Sequence, residues 1–326
     1  MVDAHDSKSC IARCEGSSPS SGTLNVNNTK KPKIIAIVGA TASGKTAFSL
    51  ALAKEFSGEI ISADSRQIYR GLDIGTAKIT TEEMGGVPHH LIDIVDVKES
   101  FSAHDFSTLA TSTITDIIKR ANLPIIVGGT FFYLDQLRGI SGKAPVPPNP
   151  KLRTELEALT LDELEGRLEA IDPTLLLKVD TKNPRRLVRA LEILETLGHI
   201  PKADRIDSPY DWLVIGLQVD KETLRERYRA RAKEWLKIGF LAEIKGLISN
   251  GVTSERLTEI GFEYTLGLAL LNKETTEAEF IDRFEQKNWQ YAKRQLTWLK
   301  RDQTILWFGS GQQTEILDTI TQFLRD

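Results

Sequence analysis

The chain has 326 residues, of which 42 are Lys or Arg and 45 are Asp or Glu, so its formal net charge is −3. This balance excludes a protein that binds nucleic acid through overall positive charge and leaves only a local basic face for that purpose. No apolar run approaches the ~20 residues of a membrane-spanning helix, and two cysteines make a disulfide framework improbable, so we expect no membrane partner and a reducing cytoplasm.

Residues 1–31 are rich in Ser, Thr, Gly and Asn and lack a continuous apolar segment. This composition predicts a disordered tail, and the missing apolar segment argues against a signal peptide. Cys10, Cys14 and His5 lie in this segment. Three potential ligands in a flexible tail make a weak metal site, and we interpret them as incidental residues.

A phosphate-binding loop follows the first predicted strand. Residues 33–38 (KIIAIV) form a short apolar run that predicts a buried strand, and residues 47–55 predict a helix. The pattern G-x-x-x-x-G-K-[ST] lies between them, and in this context its amides and the helix N-terminus bind phosphate. The predicted phosphate-binding residues are Gly39, Thr41, Ala42, Ser43, Gly44, Lys45 and Thr46, the last of which also offers a hydroxyl to Mg²⁺.

Asp64 follows a second predicted strand at residues 59–62. Ligands of open α/β sheets bind outside the carboxyl ends of the strands, so Asp64 is expected beside the phosphate loop. A carboxylate there can be an outer-shell partner of Mg²⁺ or a general base. It can equally cap a helix or brace a loop, and the residue by itself does not decide among these roles.

Strands and helices continue to alternate after Asp64. Strands are predicted at residues 90–95 and 124–127, with a helix at 106–120 between them. Strands that alternate with helices indicate a parallel sheet with helices on both faces. The predicted fold is therefore an α/β fold of the phosphate-loop NTPase type.

The pattern changes at residues 139–150, where four prolines predict a linker. Residues 151–197 have helical apolar spacing, and residues 212–219 predict a return to the sheet. Long amphipathic helices are predicted at 221–238, 241–249 and 276–301. We therefore predict a catalytic core formed by residues 32–142 and 210–326, with an inserted all-helical subdomain at 143–209.

Six strings resemble those of the bacterial tRNA dimethylallyltransferases, also called tRNA isopentenyltransferases. They are GATASGKT from Gly39, ISADSRQIYRGLDIGTAK from Ile61, GVPHHLIDI from Gly86, LPIIVGGTFFYL from Leu123, NPRRLVRALEIL from Asn183 and YAKRQLTWLKR from Tyr291. The resemblance covers residues 33–307, most of the chain. It implies transfer of a dimethylallyl group from dimethylallyl pyrophosphate to N6 of adenosine 37, beside the anticodon of tRNAs that read codons starting with U.

The resemblance implies catalytic roles for Asp64, Thr130 and Arg231. Asp64 matches the family's general base, which takes the proton of N6. Arg231 matches an arginine on the pyrophosphate side, although a solvated helix position suits it too. Thr130 matches a threonine that meets the adenosine, although such a hydroxyl can also cap a loop. Mg²⁺, held partly by Thr46, is the implied cofactor and stabilises the departing pyrophosphate.

The resemblance also implies contacts with the tRNA anticodon stem-loop, whose target adenosine must flip out of its stack. Lys287, Tyr291, Arg294, Trp298 and Arg301 form one helical stripe, and we interpret its aromatics mainly as core and its cations mainly as RNA-binding. The predicted tRNA-binding residues are Asp64, Ser65, Arg66, Gln67, Thr130, Arg153, Arg185, Arg186, Leu187, Val188, Arg189, Lys287 and Arg294.

The chain departs from the family pattern at several positions. Ala40 replaces a usual proline, Arg66 replaces a frequent methionine, and Phe131 stands where glycine is common. The segment 261–264 (GFEY) only loosely resembles the family's Gly-Tyr-Lys/Arg segment. These departures bear on the shape of the donor pocket and on tRNA preference more than on the reaction.

Three other functions compete with tRNA prenylation. A small-molecule kinase also combines a phosphate loop with a strand-end Asp, but transfers phosphate from ATP. An adenylate isopentenyltransferase uses a free nucleotide as acceptor. A non-catalytic RNA-binding module needs no general base. The inserted helices and the basic C-terminal string favour tRNA over free nucleotide. We expect the protein to be a monomer.

Overall fold

A six-stranded parallel sheet forms the centre of the computed structural model, which describes residues 30–140, 146, 149–177, 179–201 and 207–326. Its strands are Lys33–Gly39 (β1), Gly58–Ser62 (β2), His89–His90 (β3), Leu123–Val127 (β4), Asp211–Leu217 (β5) and Ile305–Phe308 (β6). They are ordered β3-β2-β4-β1-β5-β6, and every pair is parallel. The predicted α/β fold is confirmed, whereas nearly all of the predicted tail lies outside the described residues.

Strand β1 lies inside the sheet, between β4 and β5. Its side chains alternate between two cores, with Ile34 and Ala36 on one face and Ile35 and Ile37 on the other. A parallel sheet covered on both faces has strands that are apolar throughout, which explains the run KIIAIV. The phosphate loop therefore leaves the sheet near its middle, with strand ends on both sides.

Helices cover both faces of this sheet. They are Lys45–Glu55 (α1), Thr81–Met84 (α2), Ala103–Lys119 (α3), Phe131–Leu137 (α4), Pro150–Glu157 (α5), Leu161–Ile171 (α6), Pro184–Leu197 (α7), Lys221–Ile238 (α8), Phe240–Ser249 (α9), Ser254–Ile260 (α10), Phe262–Leu271 (α11), Glu277–Leu299 (α12) and Gln313–Arg325 (α13), with 3-10 turns at Ile74–Thr76 and Pro173–Leu177. Helices α1 and α13 pack on one face, and α3, α8 and α12 on the other. No helix in the described ranges is long and apolar enough to cross a membrane.

The strand predicted at residues 90–95 is mostly wrong, because β3 contains only His89 and His90. Leu91 and Asp93 have φ angles of 60° and 57°, in the left-handed region that ends an extended strand. The backbone N–H of Ile94 then donates to the carbonyl of Ile68 at 2.9 Å. The segment thus packs on the loop after β2, where it supports the turn that carries Asp64.

Helices α5 to α7 share a hydrophobic cluster of their own. Its most buried members are Leu156, Leu164, Leu168, Leu187 and Leu191. Asn149 and Asn183 cap α5 and α7, and each is followed by a proline at the first helical position. The predicted helical segment is thus real but divided, whereas the domain limits at residues 143 and 209 stay a prediction.

Candidate active site

The phosphate loop turns sharply between β1 and α1. Gly39 and Gly44 have φ angles of 149° and 94°, and a Cβ on Gly39 would lie 2.8 Å from the carbonyl oxygen of Leu217. The Nζ of Lys45 donates to the carbonyls of Gly39 and Ala40, at 3.0 and 2.7 Å. The lysine is therefore held inside the curve of the loop, where an anion would meet it.

The protonation state of Lys45 depends on its surroundings. Burial lowers the pKa of Lys45 to about 8, the carboxylate of Asp64 opposes this, and the nearby Arg231 adds to it. A bound anion would favour the protonated amine. An anion bound at the loop would therefore meet a fully charged lysine.

Two helices hold the phosphate loop from outside. Arg227 and Tyr228 of α8 donate to the carbonyls of Ala42 and Thr41, at 2.8 and 3.1 Å. Gln295 of α12 accepts the N–H of Thr41 at 2.9 Å and donates to the carbonyl oxygen of Gly129 at 3.0 Å. Gln295 is almost fully buried. Its amide thus fixes the distance between the phosphate loop and the loop after β4.

Asp64 lies at the carboxyl end of β2, in the turn that follows the strand. Its Oδ1 accepts the backbone N–H groups of Arg66 and Gln67, at 2.9 and 3.3 Å. Among the described residues, no group donates to Oδ2. The two roles considered for Asp64, bracing a loop and acting in chemistry, are therefore compatible. One oxygen braces the turn, and the other is available for chemistry.

The phosphate loop and Asp64 line the same cavity, which has a volume of about 400 Å³ and which we call the loop cavity. Its lining includes Ser43, Lys45, Thr46, Asp64, Arg66, Gln67, Arg231, Trp235, Glu263 and Tyr291. Arg231 reaches the loop from α8, with Nη1 3.4 Å from Oγ1 of Thr41, and burial lowers its pKa. Lys45, Arg231 and Asp64 therefore line a single volume.

Thr130 lines a second, larger depression and is hydrogen-bonded to Ser65, which lines the loop cavity. Its Oγ1 accepts the N–H of Ser65 at 3.0 Å and lies 3.2 Å from the Ser65 hydroxyl, next to Asp64 in the chain. Its other side faces a groove of about 880 Å³ between α4, α7 and α12. We call this depression the arginine groove, because it is lined by Arg185, Arg186, Arg189, Arg294 and Arg301.

The loop cavity and the arginine groove share three lining residues, Gly129, Tyr291 and Gln295. Tyr291 lies between them, with its ring 5.7 Å from the guanidinium carbon of Arg294. The two depressions are therefore neighbours that share a wall, formed by Tyr291, Gln295 and the loop after β4. This adjacency places the cavity that contains Lys45 and Asp64 next to a surface rich in arginine.

Comparison with known proteins places this arrangement in a family. The model of the family described as IPP transferase matches residues 67–302. The chain belongs to the IPP transferase family. The match begins after Asp64 and extends through Arg301, so it includes both the loop after β4 and the stripe on α12.

Relatives in the family match along most of their length. The tRNA dimethylallyltransferase of Halalkalibacterium halodurans is 40% identical over 288 residues, which cover 85% of this chain and 91% of that protein. That of Bacillus subtilis is 39% identical over 293 residues, which cover 87% and 92%.

Solved structures of the family agree with the fold. The full-length tRNA isopentenylpyrophosphate transferase of Bacillus halodurans is 38% identical, with a TM-score of 0.68 over 91% of this chain and 97% of that one. A eukaryotic dimethylallyltransferase acting on tRNA is 31% identical, with a TM-score of 0.72 over 85% and 74%. The family fold is therefore shown for almost the whole described chain.

Within this IPP transferase, the residues predicted to bind tRNA divide into groups. Arg185, Arg186 and Arg294 are exposed along the arginine groove, and Lys287 is exposed outside it. Arg153 instead pairs with the fully buried Glu192, at 2.8 and 2.9 Å, and is only one third exposed. Its position fits a brace between α5 and α7 as well as it fits an RNA contact.

Leu187 and Val188 do not fit the predicted role. Their side chains are 0% and 4% exposed in the cluster between α5, α6 and α7. Mid-helix backbone groups are already bonded within α7. The correction is that the string from Asn183 contributes arginines on one face of α7 and packing residues on the other, so neither apolar residue is available to RNA.

The aromatic residues of the stripe agree with expectation only in part. Tyr291 and Trp298 are partly buried, Trp298 packs against the main hydrophobic cluster, and both rings also line the arginine groove. The indole N–H of Trp298 donates to Oδ2 of Asp135 at 2.7 Å, and Arg301 lies over its ring at 5.3 Å. From Tyr291 to Arg301 the stripe is therefore a wall of the groove in which rings and guanidinium groups alternate.

Several site residues escaped prediction from the sequence. Gln295 lies in the string YAKRQLTWLKR, but nothing in its spacing indicates a bond to a loop 254 residues away. Tyr228 is fully buried and looks like an ordinary core residue of α8. Glu263 was noticed only as a departure from the family pattern. Each contributes through a contact between segments distant in sequence.

Proposed function

We propose that the protein transfers a dimethylallyl group from dimethylallyl pyrophosphate to N6 of adenosine 37 in tRNAs that read codons starting with U. The observation that carries this proposal is the shared cavity in which Lys45, Arg231 and Asp64 converge. The names of the relatives favour tRNA over a free nucleotide as acceptor. Because tRNA is the substrate, we propose a cytoplasmic enzyme.

The donor occupies the phosphate-loop end of the loop cavity in this proposal. The amides of Ala42, Gly44, Lys45 and Thr46, at the turn into α1, bind the pyrophosphate, and Lys45 and Arg231 add full positive charges. As the allylic C–O bond breaks, negative charge grows on the leaving pyrophosphate. Cations already fixed around it by the loop and by α8 stabilise that charge without rearranging.

Asp64 acts on the acceptor amine. The N6 lone pair is delocalised into the purine ring, so the amine is a weak nucleophile. Attack on the allylic carbon builds positive charge on nitrogen, and a carboxylate within hydrogen-bond reach stabilises it and takes the proton. The Oδ2 of Asp64 suits this role, because Oδ1 is occupied by the amides of Arg66 and Gln67 and so keeps the carboxylate oriented.

Mg²⁺ fits the donor set of this cavity. Thr46 lines it and carries a hydroxyl, which is a hard oxygen donor. The described residues contain no cluster of three or more acidic, His or Cys ligands, which suits an ion completed by phosphate oxygens and water. When bound, Mg²⁺ neutralises charge on the pyrophosphate, with Thr46 as the ligand we propose.

The anticodon stem-loop lies in the arginine groove in this proposal. The exposed arginines of α7 and α12 meet backbone phosphates, and the flipped adenosine passes Thr130 and Tyr291 to reach Asp64. A single-stranded loop lowers the cost of unstacking the base. All of these residues come from one chain, and we propose that the protein acts as a monomer.

A transfer assay tests the proposal. Purified protein, dimethylallyl pyrophosphate, Mg²⁺ and an unmodified stem-loop with the sequence AAA at positions 36 to 38 should yield one added five-carbon group at the middle adenosine, detected by mass spectrometry. Parallel reactions contain AMP instead of RNA, or ATP with small acceptors. Product only from AMP, or phosphate transfer from ATP, would overturn the proposal. Removal of Mg²⁺ with a chelator should abolish turnover but leave stem-loop binding intact.

A further inference from the structure

Two departures from the family pattern meet in the loop cavity. Arg66 belongs to the turn after β2 and Glu263 to the first turn of α11, 197 residues apart. The Nη1 of Arg66 donates to Oε1 of Glu263 at 2.6 Å, and the side chains are 21% and 7% exposed. The neighbouring Gly261 leaves room for the pair, because a Cβ there would lie 2.7 Å from both side chains.

Two aromatic rings lie near the guanidinium of Arg66. Its central carbon lies 5.7 Å from the ring of Phe262 and 5.6 Å from the ring of Tyr291. A guanidinium packed on aromatic rings keeps its edge, which carries its five N–H donors, for hydrogen bonds. Among the described residues, Glu263 is the one hydrogen-bond partner of that edge. Arg66 also lines the cavity, and the N–H groups not bonded to Glu263 are the donors that it can offer there.

Arg66 lies two residues after Asp64, the proposed general base, in the chain. Its backbone N–H donates to Oδ1 of Asp64, and the charges of the two side chains interact. A hydrogen-bond acceptor and a donor thus lie side by side in the cavity. Adenine presents the matching pattern, since its N6 amine is a donor and the adjacent ring nitrogens N1 and N7 are acceptors. Guanine presents a carbonyl oxygen at that place, which the Asp64 carboxylate repels.

We propose that the side chain of Arg66, positioned by Glu263, donates a hydrogen bond to a ring nitrogen next to the reacting amine and so adds to the selection of adenine in this chain. The inference rests on the proposed function and adds to it a residue that helps to select the base. Glu263 is a positioning residue, since it acts through Arg66. The alternative is that Arg66 binds the leaving pyrophosphate, and the test separates the two.

The test combines enzyme variants with single-atom changes in the RNA. Stem-loops carry adenosine, 1-deazaadenosine or 7-deazaadenosine at the target position, and a control RNA carries the same changes at the next adenosine. We expect one of the two target changes to lower kcat/KM of the unaltered enzyme about 10-fold or more, as for loss of a hydrogen bond to a charged group. The kcat/KM of Arg66→Met should be equally low with all three target bases, and its KM for dimethylallyl pyrophosphate should be unchanged.

Two further variants protect the test from misfolding. The single change Arg66→Met leaves the Glu263 carboxylate buried without its partner, which destabilises a protein. The double variant that combines Arg66→Met with Glu263→Gln removes both charges, and thermal melting checks that it is folded. Glu263→Gln by itself keeps Arg66 but loosens it, and should reduce discrimination between the target bases while stem-loop affinity stays constant.

Equal sensitivity to the deaza bases in the unaltered enzyme and in Arg66→Met would overturn the inference. A raised KM for dimethylallyl pyrophosphate with full base discrimination would assign Arg66 to the pyrophosphate instead. If the unaltered enzyme alkylates none of the RNAs, the proposed function fails. In that case the equilibrium affinities of the unaltered enzyme and of Arg66→Met for the same RNAs are measured without dimethylallyl pyrophosphate. Equal sensitivity of the two affinities to the deaza bases would then overturn the role of Arg66.

Discussion

The loop cavity and the arginine groove are adjacent, yet they are built in opposite ways. In the cavity, Lys45, Asp64 and Gln295 are each bonded to backbone groups at 2.7 to 3.3 Å. In the groove, Arg185 is 76% exposed, and its nearest carboxylate, that of Glu259, lies 3.8 Å away. The first region holds groups at fixed distances, and the second presents exposed positive charge.

This difference follows from what each region handles. Breaking a bond requires reacting groups placed to within fractions of an ångström, which needs side chains fixed by their neighbours. An RNA backbone is recognised by summed positive charge, and surface arginines supply it without exact placement. Substitutions in the cavity should therefore change rate, and substitutions in the groove should change affinity and its salt dependence.

The largest effect is expected for Asp64→Asn. The amide keeps an oxygen for the N–H groups of Arg66 and Gln67 but cannot take a proton, so kcat should fall by about 10²–10⁴-fold. Stem-loop affinity, measured by fluorescence anisotropy, should change less than about 2-fold. Asp282→Asn, at an exposed position of α12, is the matched control. Equal loss of rate and affinity would reassign Asp64 to binding.

The pH profile tests the cation of the cavity. With its pKa lowered to about 8, Lys45 is charged below this pH and neutral above it. The kcat/KM for dimethylallyl pyrophosphate should therefore fall up to about 10-fold per pH unit above about pH 8, because the free enzyme loses the charge that binds pyrophosphate. Lys45→Arg should move this decline to higher pH, since arginine stays charged. An identical decline in both enzymes would contradict the assignment.

Leu187→Ala separates packing from RNA binding within α7. Truncating a fully buried leucine should lower the free energy of unfolding by about 2–5 kcal/mol, measured by urea denaturation. At a temperature where the variant is folded, its stem-loop affinity should equal that of the unaltered protein. A selective loss of affinity without loss of stability would restore Leu187 to the RNA-binding set.

The smallest effect is expected for Arg186→Gln in the arginine groove. Removing one phosphate contact should weaken stem-loop binding several-fold and reduce the slope of log affinity against log salt by about 0.7. Lys119→Gln, on the exposed side of α3, is the matched control and should change neither value. An unchanged slope for Arg186→Gln would show that RNA binds elsewhere.

Local patterns in the sequence predicted the elements that depend on neighbours in the chain. The apolar run before Gly39 and the glycine spacing are sufficient for the strand and the phosphate loop, because both follow from backbone sterics and burial. The prediction of a strand at residues 90–95 failed, because Leu91 and Asp93 have left-handed backbone conformations that end the strand. No local sequence pattern indicates these conformations. Strand β6 and helix α4 were missed because each is short.

The candidate site was predictable only in part. Lys45 and Asp64 lie next to strand ends, so the sheet topology brings them together once the fold is known. Among the arginines, the sequence does not reveal which pair with buried carboxylates, as Arg153 does with Glu192, and which stay exposed, as Arg186 does. That division depends on which faces of α5 and α7 pack together.

The sequence by itself determined the sheet's central strand, the phosphate loop and the acid beside it, because these depend on residues within a few positions of one another. Only the tertiary structure decided that Gln295 ties the loop to its neighbour, that Tyr291 separates cavity from groove, and that Arg66 pairs with Glu263. Such contacts join segments up to 254 residues apart. No periodicity or spacing encodes them, since they exist only once the helices have packed.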